Sequence, residues 1–151
     1  MNFPMNTPAD RPLVEARIRV RYAETDQMGV VYYANYLVWM EVARMEWCRA
    51  RGVDYRQMER EEGVALAVAE ASCRYRSPAR FDDEVAIRVW VEEASSRMVT
   101  FHYEMRVAEG ERLVATGETR HVFVGAGMQK ARCPVRYRAL FGMGGDQPVE
   151  G

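Results

Sequence analysis

An acidic turn, Glu24-Thr25-Asp26, runs through Gly29 into a long aromatic-rich stretch within residues 21–52, RYAETDQMGVVYYANYLVWMEVARMEWCRARG. A carboxylate just ahead of a helix start lies where unpaired backbone N–H groups and the positive end of the helix dipole gather. Groups of these types can act together: the carboxylate as nucleophile or base, the N–H groups as donors to a developing negative charge. Gly29 lets the backbone approach a bound molecule closely. Asp26 also has a plainer role open to it, because Asp is a common cap of turns and helices. The residues by themselves leave both roles standing. Glu24 is expected to face solvent or pair with an arginine rather than serve as the acid.

The elements that must position this turn follow from periodicity. Tyr36, Met40, Ala43, Trp47 and Ala50 recur at helical spacings of three and four, and Leu37, Val42, Met45 and Cys48 widen that stripe. Charge is confined to Glu41, Arg44, Glu46, Arg49 and Arg51, which predicts a helix buried over most of its surface and stopped by Gly52. Glu41 and Arg44, one turn apart, are expected to pair. Ahead of the turn, residues 14–22 alternate as a half-buried strand. Behind the helix, residues 53–63 read as a short exposed helix. Alternation then predicts strands over 64–75, 84–92, 98–107 and 113–124, broken at Ser77-Pro78, Ser95-Ser96 and Glu109-Gly110. Short turns imply antiparallel neighbours, and a helix apolar nearly all round needs a sheet curved enough to wrap it. The fold class is α+β, with five antiparallel strands around one long central helix. Residues 14–141 form one domain between an N-terminal tail (1–13) and a C-terminal tail (142–151), with periodicity already lost past Gly125.

Composition excludes several classes of function. Lys and Arg total 21 against 22 acidic residues, so no global field draws the chain to nucleic acid. No apolar run approaches a membrane span, and the opening MNFPMNTPADRP lacks the apolar core of a signal peptide. Cys48, Cys73 and Cys133 are odd in number and show no metal-ligand spacing, which points to reduced thiols in the cytoplasm.

The run RYAETDQMGVVYYANYLVWMEVARMEW resembles the active-site signature of hotdog-fold acyl-CoA thioesterases of the 4-hydroxybenzoyl-CoA thioesterase family. SPARFDDEV resembles that family's crossing loop, and the last strand ends in HVFV as the family's does. The resemblance spans roughly residues 16–141. It implies a hotdog fold hydrolysing an acyl-CoA thioester, with Asp26 as nucleophile or general base and the backbone N–H of Tyr33 as oxyanion donor. Many relatives carry His where Tyr33 stands, so no imidazole is available here. Gly29 would allow the close approach, and Met28, Val30 and Tyr32 would line the substrate site. Family members grip nucleotide phosphates with a basic turn that here is Ser95-Ser96-Arg97; Arg97 is all that remains of it, and Lys130 and Arg132 are the alternative contacts. No metal or redox cofactor is implied. A homodimer or homotetramer is expected. An acyl-carrier-protein thioester is the alternative substrate, and a non-hydrolytic acyl-thioester binder the alternative role. Hotdog dehydratases need a catalytic His with a carboxylate, and none lies near the turn: His121 is expected to be a satisfied sheet residue, and His102 a surface one.

Overall fold

The computed structural model describes residues 11–143. Alternation becomes strand in each predicted place: β1 (Val14–Arg19), β2 (Ala65–Tyr75), β3 (Glu84–Ala94), β4 (Met98–Val107) and β5 (Arg112–Val124). They form one antiparallel sheet in the order β1-β3-β4-β5-β2. The first strand is shorter than its alternation suggests, because Tyr22 leaves the ladder in a 3₁₀ turn, Tyr22–Glu24, and packs edge-on against Phe81 at 5.5 Å. The strands that follow one another are not all neighbours. β2 pairs with β5, and residues 76–83 cross from that edge to begin β3.

Register shifts at Val68/Glu70, Val91/Glu93 and Met105/Arg106 place bulges in three of the four pairings. Bulges bend and twist strands. The concave face they help to shape receives α1 (Asn35–Arg51), which buries Tyr36, Trp39, Met40, Ala43, Trp47 and Cys48 against the sheet. Each large side chain removed from water contributes about 1.5–3 kcal/mol, so this contact is a substantial source of the fold's stability. Gly117 on β5 sets how closely helix and sheet approach. A Cβ there would lie 2.0 Å from Met40 Cε and 3.0 Å from the Ser72 carbonyl oxygen.

Two expectations are corrected. The helix is not buried nearly all round: Leu37, Val38 and Val42 are exposed, Val38 by 52%. The segment after α1 is not simply exposed, since α2 (Tyr55–Gln57) and the π turn Met58–Glu62 bury Met58 completely. The chain beyond Gly125, where periodicity is lost, is also folded. It forms α3 (Val135–Arg138) and brings Cys133, Tyr137 and Phe141 into the core, with Phe141 stacked on Trp47 at 5.8 Å. Of the expected tails, 1–13 and 142–151, residues 1–10 and 144–151 lie outside the described residues, while Arg11 donates to Val91 O at 2.8 Å and Met143 is buried.

β2 is an edge strand, with Val68 56% exposed and Tyr75 also open to solvent. One rung of its free edge is closed from within. The Tyr55 hydroxyl accepts from Leu66 N–H at 3.0 Å and donates to the Leu66 carbonyl at 3.3 Å.

Candidate active site

The acidic turn is a tight knot of backbone bonds. Asp26 N–H donates to Val30 O at 2.8 Å, and Gly29 N–H returns to Asp26 O at 2.9 Å. Gly29 has φ +79°, which a side chain would resist, and nothing within 4 Å occupies the space before it. The knot is fastened outward to the crossing segment by Val31 N–H on Ala79 O at 2.9 Å. This contact, with the Val30–Arg80 bridge, fixes the turn against the start of β3.

Within it, the two oxygens of Asp26 differ. Oδ1 accepts from Met28 N–H at 2.8 Å and from Val30 N–H at 3.4 Å. Oδ2 meets no donor among the described residues. Asp26 therefore caps its own turn but does not cap the helix. Ahead of α1 the cap position is Ala34, which provides no side-chain acceptor. The N–H of Tyr33 likewise meets no acceptor among the described residues, while its carbonyl accepts the Tyr75 hydroxyl at 3.0 Å. A half-engaged carboxylate and an open helix start are thus parts of one short segment.

Glu24 departs from its expected place. It is buried, 7% exposed, and does more than pair with an arginine. Its carboxylate accepts from Arg21 N–H at 2.8 Å and from the Trp39 indole N–H at 3.1 Å, with the Arg21 guanidinium 3.4 Å away. Burial works to raise its pKa, but the Arg21 amide, the Trp39 indole and the Arg21 charge outweigh it and hold the group below the ordinary glutamate range. Its backbone carbonyl accepts from Tyr32 N–H at 2.8 Å and from Asn35 Nδ2 at 2.9 Å. Nothing periodic in the sequence joins Glu24 to Trp39; the polar Asn35 among aromatic residues was the one available signal.

The aromatic residues of the site stand open. Met28, Tyr32 and Tyr33 are exposed, Val30 is half-buried, and Tyr33 and Tyr36 meet Tyr75 edge-on at 6.4 and 5.2 Å. The basic residues are elsewhere. Cys133 N–H donates to Ser96 O at 2.7 Å, so the segment carrying Lys130 and Arg132 lies beside the turn carrying Arg97. That turn follows the end of β3, whereas Asp26 is fixed near its start. Eleven residues of strand separate the two by roughly 30 Å within one chain.

The histidines take no part in the turn. His121 is buried on β5, where burial first and the Arg44 charge second push its pKa down to about 3, so its ring is neutral. It is only half satisfied: Nε2 lies 2.8 Å from Thr119 Oγ1, and Nδ1 has no partner. His102, half-buried on the opposite sheet face, lies 3.4 Å from Glu118 and 3.8 Å from Glu92. Arg44 does not pair with Glu41; it turns inward and donates to the Tyr103 hydroxyl at 3.1 Å. Among the described residues no three His, Cys, Asp or Glu side chains gather as metal ligands.

A five-stranded antiparallel sheet around one helix, with an acidic turn at the open helix start, defines a hotdog domain of the thioesterase type. The sequence model of the Thioesterase-like superfamily matches residues 20–140, and the chain belongs to that superfamily. A Bacillus subtilis protein provisionally named acyl-CoA thioesterase YneP is 36% identical over 124 residues, 82% of this chain and 86% of that protein. Among solved structures, the hypothetical protein TT1821 of Thermus thermophilus is 40% identical with a TM-score of 0.79, over 85% of this chain and 95% of that one. Slr0204, a 1,4-dihydroxy-2-naphthoyl-CoA thioesterase from Synechocystis, is 25% identical with a TM-score of 0.80, over 91% of this chain and all of that one.

Proposed function

We propose that the chain hydrolyses an acyl-CoA thioester to the free acid and coenzyme A, with Asp26 as nucleophile or general base and the Tyr33 N–H as oxyanion donor. The observation that carries this reading is the pairing of Asp26 Oδ2, free of donors, with a helix start that no side chain caps. As a base, Oδ2 takes a proton from water while the water oxygen bonds to the thioester carbon. As a nucleophile, it forms that bond itself, and water then cleaves the resulting anhydride. In both routes negative charge collects on the former carbonyl oxygen, where the Tyr33 N–H can meet it. The C–S bond then breaks, and the thiolate leaves and is protonated. The names of the Bacillus and Synechocystis relatives support coenzyme A as the thiol.

The site is completed by a second copy, in a homodimer or homotetramer. Two clefts lie away from Asp26: about 400 Å³ beside Trp47, Arg51 and Phe141, and about 450 Å³ beside Gly52 and Tyr55. The exposed apolar residues of α1 (Leu37, Val38, Val42) and the open edge of β2 are both features that self-association can cover. Two copies joined antiparallel along β2 reverse each other's ends. The Arg97, Lys130 and Arg132 of one copy then stand toward the Asp26 end of the other, where nucleotide phosphates need them. We assign the reaction to the cytoplasm, since Cys48, Cys73 and Cys133 are all free thiols.

A panel of aliphatic and aromatic acyl-CoA thioesters, read by free thiol released, tests this function. Turnover of at least one member is expected. Saturable binding of the panel without thiol release overturns hydrolysis in favour of an acyl-thioester binder, and turnover confined to acyl-carrier-protein thioesters overturns the choice of coenzyme A.

A further inference from the structure

Glu24 joins three parts of the molecule that the proposed chemistry needs in fixed relation. Its carbonyl oxygen holds Tyr32 N–H, one residue before the Tyr33 donor, and the Asn35 side chain at the first residue of α1. Its carboxylate reaches a full turn into the helix to Trp39, whose ring is almost entirely buried. Two residues later the same strand of chain delivers Asp26, whose own contacts are all with the small turn 26–30. Without the Glu24 carboxylate, that turn keeps its backbone ties to the crossing segment and to Tyr32 and loses its side-chain tie to Trp39 inside the helix.

We infer that Glu24 is a positioning residue for hydrolysis: its buried carboxylate, held by Trp39, fixes the separation between the Asp26 carboxylate and the Tyr33 N–H. This rests on the function proposed above. The substrate's carbonyl carbon must be reached by one group while its oxygen is met by the other, and a displacement of about 1 Å between such groups can cost on the order of 10²-fold in rate. Glu24 does not touch the reacting atoms. Its contribution falls on kcat, because it aligns groups that matter most in the transition state and leaves coenzyme A binding alone.

Glu24→Gln has nearly the same shape but presents an amide N–H₂ to a site where every neighbour is a donor. One of its contacts, to the Arg21 amide or the Trp39 indole, must then be lost. Trp39→Phe removes the indole donor from the other side. Each variant should lower kcat by about 10- to 100-fold with KM within about twofold of wild type. Combined, the two should cost little more than either alone, since they break one interaction. A merely structural role would reduce the folded fraction and the melting temperature without this split, so kcat is referred to folded protein measured by gel filtration. The decisive comparison places Glu24→Gln in an Asp26→Asn background, where a residue acting through Asp26 has no further effect. Wild-type kcat in Glu24→Gln, or full multiplication of its loss with that of Asp26→Asn, overturns the inference and leaves the proposed function intact. Near-normal kcat in Asp26→Asn overturns both.

Discussion

Asp26→Asn isolates chemistry from architecture because the two oxygens of Asp26 do different things. Asn keeps Oδ1, and with it the bonds from Met28 and Val30 that shape the turn, while Oδ2 becomes an amide. General-base contributions are about 10²- to 10⁴-fold, so kcat should fall at least that far with little change in melting temperature, read by steady-state kinetics and circular dichroism. Single-turnover hydrolysis in ¹⁸O-labelled water then divides the two routes: a nucleophilic Asp26 places a protein oxygen in the first acid released, a general base gives label at once. Glu24 makes a second prediction at this scale. Its folded-state pKa is depressed, so its contribution to stability is fully present above the ordinary glutamate value and is lost as pH falls through the folded value. The melting-temperature gap between wild type and Glu24→Gln should stay constant from pH 7 to about pH 5 and close below about pH 4; a gap that widens on acidification would contradict the assignment. A carboxylate turn ahead of a helix start was legible in the sequence, whereas the Tyr33 N–H entered only through the family resemblance. The Glu24–Trp39 bond was not legible, because a side-chain contact between a turn and a helix fifteen residues on leaves no periodic trace. The Glu41–Arg44 pair failed for a related reason: spacing made it available, but Tyr103 offered Arg44 a partner that only tertiary structure brings near.

At the scale of elements, periodicity was a good guide to strands and a poor one to their order. β4 matches its alternating run residue for residue, since one face meets the helix and the other does not. The crossover from β2 to β3 could not be read from turn residues, which report local reversal and say nothing of which edge the next strand joins. Helix burial was overstated because an apolar stripe looks the same whether its own sheet covers it or another surface does. Helix and sheet meet most tightly at Gly117, and Gly117→Val should destabilise the fold by about 1–3 kcal/mol through overpacking against Met40 and the Ser72 carbonyl. Chemical denaturation checks this. Met40→Ala should cost less stability in the Gly117→Val background than in the wild type, because the terminal methyl of Met40 is the nearest obstruction; equal costs in the two backgrounds would place the strain in the backbone instead.

The open edge of β2 and the exposed apolar residues of α1 leave surface that a second copy is expected to cover. Light scattering of the wild type should give at least a dimer, and Val68→Glu, which sets a charge on the exposed stretch of β2, should shift the mass toward monomer and depress turnover. A fully active monomer would remove the second copy from the site. Arg97→Ala should raise KM for acyl-CoA by about tenfold, the loss expected for a charge-assisted contact, with kcat nearly unchanged. The effect should shrink on a pantetheine thioester, which has no nucleotide phosphates; equal losses on both substrates would give Arg97 a structural role. The Tyr55 clasp on Leu66 bears on the fate of the newly made chain. An uncovered strand edge is a template for runaway stacking, and here one rung of that template is withdrawn before any other molecule arrives. An incoming strand can align only along the remainder, and a two-fold pairing consumes that remainder on both sides at once. Growth along the edge would halt at such a pair, so Tyr55→Phe is expected to favour fibres and inclusion bodies over a change in turnover.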